Sequence, residues 1–149
     1  TFFKEQGLSM NYLSIINLFI SSFMFGLITV TQFVSYPLFS KVKLSNFTFY
    51  HHHYTSYISF IAAPAMIVEL IIAIMIFFNI QSLLSALNLS IIVILFISTF
   101  LIQVPIHNKL KSKGSIILFK KLVLSNIIRT ILWLAKCIIS IIIIVKEKL

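Results

Sequence analysis

The chain has 149 residues, 60% of them hydrophobic and only 10% charged, with a mean hydropathy of +1.09. That composition excludes a water-soluble domain, a disordered tail and a collagen-like or low-complexity chain, and predicts an all-α integral membrane protein. The net charge of +9 needs a separate cause, from nucleic acid, anionic lipid or membrane topology.

Residues 1–9 read as an N-terminal extension or tail, because Met10 directly precedes the first apolar stretch; residues 10–149 read as one membrane domain. Transmembrane helices need about 20 predominantly apolar residues. Four stretches qualify, at residues 12–38, 57–78, 86–106 and 122–145. None alternates with the period of two that a membrane barrel strand requires. The first is far longer than the h-region of about 7–15 residues in a cleavable signal, so it is expected to stay as a helix.

Short polar connections at residues 40–46, 79–85 and 108–115 predict an antiparallel four-helix transmembrane bundle. Ser45 or Asn46 is expected to cap an early start of the second helix, where residues 47–57 form an interfacial aromatic turn. Loops one and three carry Lys41, Lys43, Lys109, Lys111, Lys113, Lys120 and Lys121, against Lys4, Lys146 and Lys148 on the other side. The positive-inside rule places those loops in the cytoplasm, against anionic lipid, with both termini outside. A bacterial inner membrane is the expected location. Nucleic acid is excluded as a partner, because there is no soluble basic module to bind it. Cys137 stands alone in an apolar run, where an inert buried thiol is expected.

Ionisable residues inside spans are informative, since each costs roughly 2.5–3.5 kcal/mol at a helix centre unless paired or wetted. There are three: Glu69, Arg129 and Lys136. At 1.5 Å per residue Glu69 is about 18 Å from the basic edge, Arg129 about 10 Å and Lys136 about 21 Å. Asn126, Arg129, Trp133, Lys136 and Ser140 follow 3, 4, 3, 4 spacing and form one polar stripe, which in a membrane faces the bundle interior. Helix one carries Thr29, Gln32 and Tyr36 before Pro37, and helix three ends in Gln103, Pro105 and His107. Helix two begins with Tyr50, His51, His52, His53 and Tyr54, and of these histidines only His51 shares the face of Glu69.

These residues predict a polar pocket in the basic half of the bundle. Gln32, Tyr36, Tyr54, Gln103, Asn126, Arg129, Trp133 and Lys136 are its candidate substrate contacts, and Glu69, His51 and His107 its candidate acid/base groups. With Glu69 ionised its charge is about +1, which favours an anionic or electron-rich ligand. Glu69 with Arg129 or Lys136 also reads as an ion pair that only fixes helix register. Pro37, Pro64 and Pro105 read as a terminator and kinks, and the aromatics of residues 47–57 as an interfacial belt. His51 and His107 are helix-end histidines, a pair of metal ligands or the axial ligands of a haem. Glu69 cannot join His51 on one metal, because a straight helix separates them by about 27 Å.

The segments at residues 32–39 (QFVSYPLF), 47–70 (FTFYHHHYTSYISFIAAPAMIVEL), 103–107 (QVPIH) and 126–133 (NIIRTILW) resemble a group of small bacterial four-span membrane proteins, similar in layout to the anthrone oxygenase-like family. The resemblance covers nearly all of the chain after Met10, and Tyr54 stands where many members carry His. It implies oxygenase chemistry; the pocket makes a membrane oxidoreductase or oxygenase-like protein, acting on a hydrophobic, partly anionic or quinone-like substrate from the lipid, the leading expectation. The residues alone leave open a non-catalytic membrane subunit or lipid-binding protein, either as a homo-oligomer or beside a partner subunit.

Overall fold

A computed structural model describes residues 2–112 and 115–147; Thr1, Lys113, Gly114, Lys148 and Leu149 lie outside the described residues. The fold is an all-α four-helix bundle, with no strand among the described residues. We number its spans α1 (Asn11–Phe39), α2 (Ser45–Ile80), α3 (Leu83–Lys111) and α4 (Ile116–Lys146). Helix α1 continues a helix that begins at Phe2. Each span contains one apolar stretch and extends beyond it, because a helix that satisfies its own backbone need not stop where side chains turn polar. The helix Leu44–Ile80 is longest at 37 residues. That is about 55 Å against a hydrocarbon layer of about 30 Å, so it must tilt or project into the interface.

The start of this helix differs from expectation. Its N-cap is Lys43, without a side-chain hydrogen bond. The helix begins ahead of Ser45 and Asn46, so neither occupies the capping position. At its other end Gln81 takes the left-handed conformation, φ 47°, and its N–H closes on the Phe77 carbonyl. Ser82 then caps α3 through a reciprocal box with Ser85. This pair of caps reverses the chain within two residues.

The spans pack in a ring: α1 against α2 and α4, and α3 against α2 and α4. Their outward faces are apolar, with Phe60 83% and Phe19 71% exposed, while Asn17, Glu69, Asn88, Asn126 and Lys136 are buried. Polar residues inside and apolar residues outside is the arrangement a bundle adopts in lipid. The protein has the architecture of a multi-pass membrane protein.

Two spans are not regular throughout. Thr31–Ser35 in α1 and Thr99–Gln103 in α3 are π-helical, closed by Tyr36 N–H to the Thr31 carbonyl and by Val104 N–H to the Thr99 carbonyl. Each is followed one residue later by proline, Pro37 or Pro105. Proline brings no N–H for the carbonyl four residues back, Phe33 or Leu101, and its ring crowds that carbonyl. Widening the preceding turn relieves the crowding and re-aims the helix face. Pro64 is accommodated inside α2 without interrupting the helix.

Candidate functional site

The buried polar groups fall into two layers. The layer nearer the α2–α3 turn is a buried network drawn from all four helices, in which Glu69 Oε2 and Asn17 Oδ1 have no hydrogen-bond partner among the described residues. Glu69 Oε1 lies 3.1 Å from Lys136 Nζ, with both side chains wholly buried, and it also accepts from the Ser21 hydroxyl. Lys136 donates in turn to Asn88 Oδ1. The Asn88 amide donates to Ser140 Oγ at 3.2 Å, and the Asn17 amide to the same oxygen at 2.7 Å. Ser140 returns its proton to the Lys136 carbonyl at 2.8 Å. Of the two cations that could pair with Glu69, the structure selects Lys136.

A collar of apolar side chains separates this network from the second layer. Each helix contributes at the intermediate depth: Met24 and Ile28 from α1, Met66 from α2, Ile92 and Leu95 from α3, and Trp133 from α4, all in one buried cluster. Trp133 sits on α4 between Arg129 and Lys136 and is 0% exposed.

The second layer surrounds a cavity of about 310 Å³ at the basic end, within the roughly 300–1,000 Å³ typical of small-molecule sites. Its polar wall includes Tyr36, Tyr54, Gln103, His107, Asn126 and Arg129. Its apolar wall includes Ala62, Ala63 and Ile67 from α2, with Phe96 and Phe100 from α3. Ile67 and Phe100 are 52% and 61% exposed, so the cavity opens sideways between α2 and α3, toward lipid.

Second-layer hydrogen bonds fix the wall. Gln32 Oε1 accepts from the Asn126 amide at 2.9 Å, and Asn126 Oδ1 accepts from Arg129 at 3.4 Å. Gln103 donates to Ser125 at 2.8 Å, and Tyr54 donates to Thr31 at 3.1 Å. Gln32, Thr31 and Gln103 belong to the π-helical turns. Arg129 is 7% exposed and has no carboxylate partner among the described residues. Its Nε and the Gln103 Oε1 are buried without a hydrogen-bond partner. The wall thus offers one uncompensated cation and one free acceptor.

His107 lines the cavity, and behind it His51 Nε2 lies 3.1 Å from His107 Nδ1. His51 is 1% exposed, whereas His52 and His53 face outward. As axial ligands the two rings would stand on opposite sides of one iron, with nitrogens about 4 Å apart at bonds of about 2 Å, so this direct contact leaves no room for a haem between them. Two nitrogens at this separation could be neighbouring ligands of one ion. No group of three His, Cys, Asp or Glu able to hold a metal occurs among the described residues.

Of the residues singled out from the sequence, Tyr36, Tyr54, Gln103, His107, Asn126 and Arg129 line one cavity, with Gln32 and His51 directly behind it. Glu69, Lys136 and Trp133 do not line it; the first two belong to the buried network and the third to the collar. Asn17, Ser21, Asn88 and Ser125 complete the two layers and were not anticipated. Ser14, Asn17 and Ser21 carry a visible signal, a polar 3, 4 spacing inside an apolar helix. No family model, curated protein or solved structure matches this chain.

Proposed function

We propose that the α2–α3 cavity binds a hydrophobic, quinone-like molecule that enters from the lipid, and that the protein acts on it as an oxidoreductase or oxygenase-like protein. The observation that carries this reading is Arg129, a buried guanidinium without a carboxylate partner among the described residues, on the wall of a lipid-open cavity. A ligand oxygen bearing negative charge would compensate it, and a ligand hydroxyl would satisfy the Gln103 acceptor. Quinones change between carbonyl, phenolate and hydroxyl forms, and so can meet both demands while the tail remains in lipid. In this reading His107, backed by His51, exchanges the proton. The resemblance to the anthrone oxygenase-like layout supports the same class of chemistry.

The test is to purify the protein in detergent, measure its absorption spectrum, metal content and extractable quinone, and then titrate it with a short-chain quinone. The reading expects saturable binding that is lost in Arg129→Met. A protein that neither carries nor binds a quinone would sink it. The same membrane orientation, with the lysine-rich loops in the cytoplasm, is part of the proposal. A C-terminal reporter active only outside the cytoplasm should be active.

A second reading, a non-catalytic membrane subunit or lipid-binding protein, is favoured by the buried network. There the ion pair is enclosed by protein groups and stands apart from the cavity, as a register-fixing element would.

A further inference from the structure

The histidine pair stands between two separate spaces. On one side His107 lines the lipid-open cavity. On the other, His51 is held by aromatic rings, stacked on Phe47 at 5.4 Å and edge-on to Phe39 at 6.0 Å. Phe39 and Phe47 also wall a second pocket of about 240 Å³ at the basic end, together with Ser40, Ser115 and Phe119. Between the rings, His51 Nε2 and His107 Nδ1 stand at hydrogen-bond distance, 3.1 Å. The ring planes are 27° apart. That leaves His107 Nε2 for the cavity and His51 Nδ1 on the far end, and the latter is buried without a partner among the described residues.

We infer that His51 and His107 form a two-ring proton relay from the basic-end pocket to the cavity. A neutral imidazole has one donor and one acceptor nitrogen, so two in series pass a proton without either ring holding a net charge afterwards. His51 Nδ1 accepts a proton from the basic-end side, and His51 Nε2–H passes its proton to His107 Nδ1. His107 Nε2–H then gives its proton to the ligand oxygen. One proton enters, one leaves, and both rings end in the opposite tautomer; the reverse exchange resets them. Phe47 covers one face of the His51 ring and Phe39 meets it edge-on, and both side chains also wall the pocket.

Only the last transfer rests on the proposed ligand, so the relay is tested without it. In detergent-solubilised, 15N-histidine-labelled protein, the ring nitrogens of His51 and His107 should interconvert between paired tautomers, visible as averaged shifts with exchange broadening. Replacement of the exposed His53 by Gln should leave this unchanged, and His51→Gln should collapse His107 to one tautomer. Fixed tautomers on both rings of the wild-type protein would overturn the relay, as would stoichiometric metal bound to them. Because the wild-type spectrum decides, the outcome does not depend on a variant that folds. With a short-chain quinone bound in liposomes, proton uptake accompanying its chemical reduction should slow about a hundredfold in His51→Gln. An unchanged rate overturns the relay, whereas failure of quinone to bind overturns the ligand reading alone.

Discussion

Glu69 and Lys136 meet at 3.1 Å where neither side chain is accessible, and each is held by a further helix, Glu69 by Ser21 and Lys136 by Asn88. The pair therefore ties four helices together, although only two of them carry charge. Removing one partner strands the other. Glu69→Gln or Lys136→Met should each lower stability by about 3–5 kcal/mol, and Glu69→Leu combined with Lys136→Met should recover most of that. Thermal unfolding in one detergent checks both parts. A double variant no more stable than the singles would show that the pair does more than join the helices.

Arg129 should behave in the opposite sense. Its charge has no ionic partner among the described residues, so Arg129→Met removes a desolvation penalty and should leave the protein at least as stable as before. Quinone binding should nevertheless be lost. Arg129→Lys keeps the charge but not the planar fork, and should weaken binding about tenfold, or 1.4 kcal/mol. Parallel melting curves and binding titrations separate the two effects.

Ala62 lines the cavity where α2 faces α3 and is half-buried. A phenyl ring there would occupy the space in which we place the ligand tail. Ala62→Phe should abolish quinone binding while changing stability by no more than about 1–3 kcal/mol, the usual range of overpacking. Undiminished affinity in this variant would move the ligand elsewhere.

The π turns suggest a test of backbone geometry. Pro105→Ala supplies an N–H for the Leu101 carbonyl, which allows Thr99–Gln103 to tighten into ordinary α-helix. Losing the extra residue in that turn rotates the following segment by about 100° relative to the preceding one. His107 would then turn away from His51. The predicted result is a sharp single tautomer at His107 by 15N NMR, with quinone affinity reduced about tenfold.

The polar stripe of α4 was readable because 3, 4 spacing of Asn126, Arg129, Trp133, Lys136 and Ser140 survives in a helix that stays regular from Ile116 to Glu147. Gln32 and Gln103 were harder to aim, since each lies in a turn that departs from the ordinary helical period. The partner of Glu69 was not readable at all. Depth along a straight helix left Arg129 and Lys136 both eligible, and the choice depends on Ser21 and Asn88, two uncharged residues on other helices. Such side chains carry too small a membrane penalty to stand out in one sequence, yet they supply most of the bonds that close the network.

The ring of Met24, Ile28, Met66, Ile92, Leu95 and Trp133 places no charged side chain between the two polar layers. A charge passing from one layer to the other would have to give up its partners inside this ring, at a cost of several kcal/mol. The proposed histidine relay therefore lies wholly on the lysine-rich side of that dielectric barrier.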